Sequence, residues 1–392
     1  MSFIFKCPYC KQAFEAEEQW IGKIATCPNC DKQIVIQHFD GNDTEFQGDG
    51  DGQSNQVQSD INIDGIKRTA QNTIRSAFKL DKLEGFNFSR FMRQIFKHHK
   101  WEEIEEYMTI GTPHNIPPLS EVQPIWPAPW LFVRMMVLTV ALYLFLLWKE
   151  ESFGIYIVLP LLITGVYGIP LGTLLFFWEV NIPRNISILT LLRIVITSSF
   201  TSIGVTFFFH DLIGGSPENH IWAGPIEETA KALVMLYFII RNPKYQFKLN
   251  GLLIGAAVGA GFAIIETGGY TMRNGNNGTM ELRALLAPFG HVAYSAIVGF
   301  ALWRAKTAGG SFFSNLMSPL FIPLFALSIG LHMFWNSKLL NSEFLIKTAI
   351  VGVIEYFIII YLIQEGINEI RKVKEDLISR ESHGSGESSP VS

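Results

Sequence analysis

Seven side chains capable of proton or hydrogen-bond chemistry stand inside apolar stretches: Glu227, Glu228 and Lys231 in "AGPIEETAKALVML", Glu266 closing "GFAIIE", His291 opening "HVAYSAIVGF", and His332 with Asn336 in "HMFWN". Such groups are costly to take out of water, and within membranes they face a protein interior or a hydrated cavity. Glu227 and Lys231 are four residues apart and Glu228 and Lys231 three apart, so on a helix the ammonium meets a carboxylate on its own face. His332 and Asn336 share a face for the same reason. Carboxylate and imidazole together take a proton from water and return it to a leaving amine. Imidazole and amide donate hydrogen bonds to a developing oxyanion. That set suffices for water-mediated peptide hydrolysis. The apolar part has no G-x-S-x-G, no H-E-x-x-H and no cysteine, so serine, zincin and thiol mechanisms lack their usual signals.

The elements that must position these groups are membrane helices. Of 392 residues 48% are hydrophobic and 17% charged, well below the quarter charged of a soluble domain. The net charge of −4 argues neither for nor against nucleic acid or anionic lipid as a partner. Eight apolar segments, 131–148, 153–178, 186–209, 221–240, 251–272, 285–303, 316–336 and 345–363, are each long enough to span. The expected fold is an all-α polytopic membrane protein of about eight transmembrane helices, preceded by a small β-rich zinc ribbon. Arg134, Arg184, the 241–248 loop, the 304–306 loop and the basic C-terminal segment fall on one side, which places both termini in the cytoplasm, although Arg273 and Arg283 lie opposite. In that topology Glu227, Glu266, His291 and His332 lie roughly 6 to 9 Å below the outer surface, at 1.5 Å per residue. Arg193 and Glu355 fall at other depths and are left out of the site. Gly251, Gly255 and Gly259 form a small-xxx-small ladder that lets the fifth segment approach a neighbour closely.

All four cysteines precede the apolar part: "CPYC" holds Cys7 and Cys10, and "CPNC" holds Cys27 and Cys30. Two C-x2-C knuckles at this spacing predict a structural zinc ribbon over 1–38, rather than a pair of redox motifs. Residues 39–65, rich in Gly, Asp, Asn and Gln, read as a flexible linker; Asp49, Asp51 and Asp60 have calcium-loop spacing, but Ser54 stands where that loop needs glycine. Residues 66–130 read as a basic amphipathic juxtamembrane segment, with nine Lys or Arg between Lys67 and Lys100, and residues 371–392 as a disordered cytoplasmic tail. The N-terminus shows no basic region followed by an apolar core, so no cleavable signal peptide is expected.

"EETAK" at 227–231, "GAAVGAGFAIIE" at 255–266, "HVAYSAIVGFAL" at 291–302 and "HMFWN" at 332–336 resemble the successive motifs of the PrsW family of intramembrane proteases, distant relatives of the CAAX prenyl proteases. The resemblance covers residues 131–370. It implies Glu227 and Glu228 as the principal catalytic carboxylates, with His332 and Asn336 as oxyanion donors, and Lys231 as their supporting partner. Where the CAAX proteases carry histidine in the second motif this chain has Glu266, and His291 follows, so the group that assists Glu227 stays open. An active-site metal stays open too. The resemblance further implies a membrane-anchored protein substrate of the anti-sigma-factor kind, cleaved near the outer face, and residence in a bacterial inner membrane. The ribbon would bind a protein partner, or nucleic acid less readily. The rival readings are a proton- or metal-ion-coupled transporter and an inactive membrane scaffold.

Overall fold

A computed structural model describes residues 2–6, 13–17, 24–26, 33–35, 86–213, 222–274, 286, 288–340 and 342–384. The chain divides into two compact units, Met1–Phe78 and Lys79–Ser392. In the smaller, β1 (Ser2–Lys6) pairs antiparallel with β2 (Ala13–Glu17), and β3 (Ile24–Thr26) with β4 (Gln33–Val35). Lys6 faces Ala13 and Thr26 faces Gln33, so residues 7–12 and 27–32 make the connections. Cys7, Cys10, Cys27 and Cys30 lie outside the described residues, as do the 39–65 linker and its calcium-spaced aspartates.

The larger unit is helical. Of the 66–130 segment, residues 66–85 lie outside the described residues, and the rest begins with two short helices, α1 (Phe88–Phe96) and α2 (Trp101–Thr109). The Asn87 side chain caps α1 by accepting from the Arg90 amide at 3.0 Å, while Glu102 and Glu103 favour the start of α2. Tyr107 ties α2 to the membrane helices. Its hydroxyl donates to Glu179 at 2.9 Å and accepts from Arg184 at 2.7 Å. Burial pushes the phenol above its ordinary range, which keeps it a donor. Glu179 also accepts the amides of Leu131 and Phe132, satisfying donors in the first turn of α3 (Trp130–Phe153).

The next segment runs as α4 (Ile155–Leu162), a π-helical turn over Ile163–Gly168, and α5 (Ile169–Val180). Pro160 and Pro170 each remove an amide donor, and the widened turn between them is where the ladder adjusts. There follow α6 (Ile188–Ile213), α7 (Ala223–Arg241), α8 (Lys248–Asn274), α9 (His291–Thr307), the short α10 (Phe312–Leu316), α11 (Ile322–Asn336) and α12 (Phe344–Gly384). Each of the eight apolar segments thus holds a helix, but among the described residues only five helical stretches meet the length and apolarity needed to cross a membrane. The other three are α7, α9 and α11, of 19, 17 and 15 residues. Ionisable residues and short length account for the shortfall, since 15 residues rise only about 22 Å. These three helices carry most of the predicted site.

The core is built around α8, whose apolar stretch is 89% buried against 11% for α3. A side chain at Gly255 would put its Cβ 2.1 Å from the Ser295 carbonyl of α9, and one at Gly259 2.2 Å from that of His291. Only glycine permits this approach. On the other side Ser199 of α6 donates to the Gly261 carbonyl at 2.9 Å. At the N-terminal end of α8 the amide of Asn250 donates to Asn181 and Asn185, at 2.9 and 2.7 Å. There Glu365 of α12 also pairs with Lys248 at 3.0 Å and with Arg304.

Helix α12 does not end at residue 371 but continues to Gly384. Arg371 and Glu375, and Lys372 and Asp376, stand four apart and support the exposed turns. Lys374 also donates to the Val122 carbonyl at 3.0 Å, which fastens the first of these turns to the segment before α3.

Candidate active site

Glu227, Glu228 and Lys231 follow Pro225 in the opening turns of α7, where a missing amide costs nothing and the helix dipole favours carboxylates. Of the two spacings available to Lys231, the structure realises the shorter. Its Nζ donates to Glu228 Oε1 at 2.5 Å, and both side chains are fully buried. Glu227 is left outside that pair. Lys231 also donates to His291 Nδ1 at 3.0 Å and lies 4.6 Å from the Phe262 ring centre.

The lysine fixes the imidazole tautomers. An ammonium has no lone pair to offer, so His291 Nδ1 accepts and its Nε2 carries the hydrogen, which faces Glu266 Oε2 at 2.7 Å. His332 Nδ1 stands 2.9 Å from Glu228 Oε1, the oxygen that already receives Lys231, and therefore donates to it. His332 Nε2 is then an acceptor, 3.7 Å from Glu227 Oε2, while His291 Nδ1 is 4.0 Å from the same oxygen. Glu227 Oε2 is buried and has no hydrogen-bond partner.

Each predicted residue is accounted for. Glu227, Glu228, Glu266, His291, His332 and Lys231, from α7, α8, α9 and α11, meet in one cluster; Asn336, one turn beyond His332, lines the cavity above it. That cavity, of about 50 Å³, is also lined by Glu266, Phe289, His291, Tyr294 and His332. The sequence reading passes over Tyr294 and leaves out Glu355. The Tyr294 ring stacks on His332 at 5.4 Å and 18°, and Glu355 of α12 is buried within its electrostatic reach. Tyr294 lies three residues after His291 on one face, a usable signal. Arg193, by contrast, is exposed on α6.

Residues 185–363, which hold all of these helices from α6 to the middle of α12, match the PrsW family, described as intramembrane metalloproteases. The chain carries a PrsW-family domain. It is similar to the protease PrsW of Halalkalibacterium halodurans, 29% identical over 30% of this chain and 55% of that protein. It is also similar to that of Geobacillus kaustophilus, 33% identical over 23% of this chain and 40% of that protein. The chain thus spans about half the length of the curated relatives it matches. No solved structure matches it. Helices α3 to α5 precede the PrsW-family match, so the expected extent of 131–370 is wider than the 185–363 that match. With the match and its apolar helices, the chain is an integral membrane protein.

The family description names a metal, and the donor set of the PrsW-family domain fits one. Glu227, His291 and His332 each offer a ligand atom, all within 4.8 Å of one another. Each imidazole engages a carboxylate through its other nitrogen, Glu266 for His291 and Glu228 for His332, the outer arrangement that orients metal-binding histidines. The Lys231 ammonium, 3.0 Å from His291 Nδ1, is the competitor for that site.

Proposed function

We propose that the chain is an intramembrane endopeptidase that hydrolyses a peptide bond of a membrane-associated protein near the outer membrane face. The observation that carries this reading is the meeting of Glu227, Glu228, Glu266, His291 and His332, from four helices, beneath one small cavity. Glu227 Oε2 and His332 Nε2 are two acceptors 3.7 Å apart, placed to take a proton from water between them. The water oxygen bonds to the peptide carbonyl carbon, and the Asn336 amide, lining the cavity, donates to the oxyanion. The C–N bond then breaks, and the proton held by Glu227 passes to the leaving nitrogen. His332, with Nδ1 committed to Glu228, has no hydrogen on Nε2 to give an oxyanion while Glu227 holds the proton, so we assign the oxyanion-donor role to Asn336. Lys231 holds Glu228, and Glu266 holds His291.

Glu227 Oε2, His291 Nδ1 and His332 Nε2 would hold a divalent metal, which when bound polarises water and carbonyl. The two hairpins support a separate structural zinc, because each C-x2-C falls in the connection of one hairpin, at 7–12 and 27–32. An anti-sigma-factor-like substrate, regulated proteolysis, residence in the bacterial inner membrane with both termini cytoplasmic, and a protein partner for the ribbon complete the reading. Reporter fusions at either terminus should both read cytoplasmic, and an external C-terminus would reverse the assigned depth.

The deciding experiment compares membrane-protein fragments in cells carrying the native chain, Glu227→Gln or Glu228→Gln. Processing should fall by on the order of a hundredfold or more in the Glu227 variant. Unchanged fragments in both variants would remove the hydrolase reading.

A further inference from the structure

Glu355 lies in the middle of α12, outside every motif, and is completely buried with neither oxygen hydrogen-bonded among the described residues. It belongs to a stripe at four-residue spacing, Lys347, Val351, Glu355, Ile359 and Ile363, in which no member is more than 1% exposed. Val351, one turn earlier, packs with Tyr294 and Leu331, the neighbours of the site. That face of α12 therefore looks toward His332. The Tyr294 hydroxyl is also buried without a partner, and so is Glu228 Oε2, the oxygen that neither Lys231 nor His332 uses. Glu355 and Tyr294 both lie within electrostatic reach of Glu228.

Unpartnered polar atoms in a low-dielectric interior are rare and costly, and a group of them is the usual setting of a buried water. Charge points the same way. Lys231 is already paired with Glu228, and the negative charge of Glu228 reaches the buried Glu355. A further full negative charge with no counterion is poorly tolerated there. In neutral form Glu355 brings a donor to a place where Glu228 Oε2 lacks one.

We propose that Glu355 is a positioning residue of the site: as a neutral carboxylic acid, with the Tyr294 hydroxyl, it donates through a buried water to Glu228 Oε2. The carboxylate that orients His332 is thereby held from both sides. This rests on the hydrolase reading for its consequence, but not for its geometry.

Glutamine keeps the shape and the donor; leucine removes both. Glu355→Gln should keep substrate processing, and Glu355→Leu should lose on the order of tenfold or more, the scale of one buried hydrogen bond to a charged group. Nitrogen NMR of histidine-labelled native protein, purified in detergent, reads the Glu228–His332 bond without any substrate. The His332 Nδ1 resonance should shift in Glu355→Leu, shift less in Tyr294→Phe, and stay in place in Glu355→Gln. If the resonance is unmoved in Glu355→Leu, or if glutamine disturbs it as much as leucine, the proposal is overturned. Processing lost equally in the glutamine and leucine variants would overturn it as well. If no variant and no native chain processes any substrate, the hydrolase reading fails alone, and the NMR arm still decides the role of Glu355. Glu355→Leu should fold, because an apolar group of similar size replaces a buried polar one.

Discussion

One proton donor, Lys231, organises the site. It selects Glu228 over Glu227, turns His291 so that Nδ1 accepts, and leaves Glu227 Oε2 facing two imidazoles with no hydrogen bond of its own. The division of labour between adjacent glutamates follows from this: one is a fixed counterion, the other is available to water or metal. Removing the ammonium strands Glu228 in the interior. Lys231→Met should therefore destabilise the domain by about 3–5 kcal/mol, the cost of breaking a buried pair from one side. Thermal unfolding in detergent reads this as a lower midpoint, and Lys231→Met combined with Glu228→Gln should recover part of it. A single variant as stable as the native chain would show that the pair does not hold α7.

Among the helices, α8 decides whether the cluster exists. Its glycine face lets α9 approach until Gly259 meets the backbone of His291 itself, so the same ladder that packs the pair also sets the position of a site imidazole. Gly255→Val would force its Cβ against the Ser295 carbonyl, 2.1 Å away, with backbone on both sides and nothing flexible to yield. Overpacking of this kind costs about 1–3 kcal/mol, and the displaced α9 should carry His291 away from Glu266. Processing of membrane-protein fragments should fall in Gly255→Val and persist in Gly204→Ala, whose Cβ meets nothing within 4 Å. Equal activity in both would show that close approach of α8 and α9 is not required.

At the scale of the whole molecule, two metal centres of different kinds are proposed in two separate units. Four thiolates close a structural shell, whereas two imidazoles and a carboxylate leave a position open for water. Their loads should be independent. In metal analysis of the purified full chain, Cys27→Ser should lose zinc while the membrane unit keeps its own metal. His332→Ala should do the reverse. A chain that binds no metal in the membrane unit would leave catalysis to Glu227 and His332 alone, and loss of both metals in Cys27→Ser would argue against separate sites.

How the chain divides between what is written in it and what folding adds can be seen in particular residues. Burying charge is so costly that Glu227, Glu266, His291 and His332 in apolar segments had to face one another, but counting within the 285–303 segment did not show that His291 opens its helix. The glycine ladder was legible because steric contact at a helix interface depends only on residue size and period. Counting along single helices could not place Glu355, because depth within one helix says nothing of which neighbour it faces; the packing of α12 against Tyr294 and Leu331 supplied that. Nor could spacing choose between Glu227 and Glu228 as the partner of Lys231, since both lie within one turn of it. The tertiary structure decided it: His332 Nδ1 and Lys231 meet at the same Glu228 oxygen, and His291, from another helix, takes a second contact of the lysine.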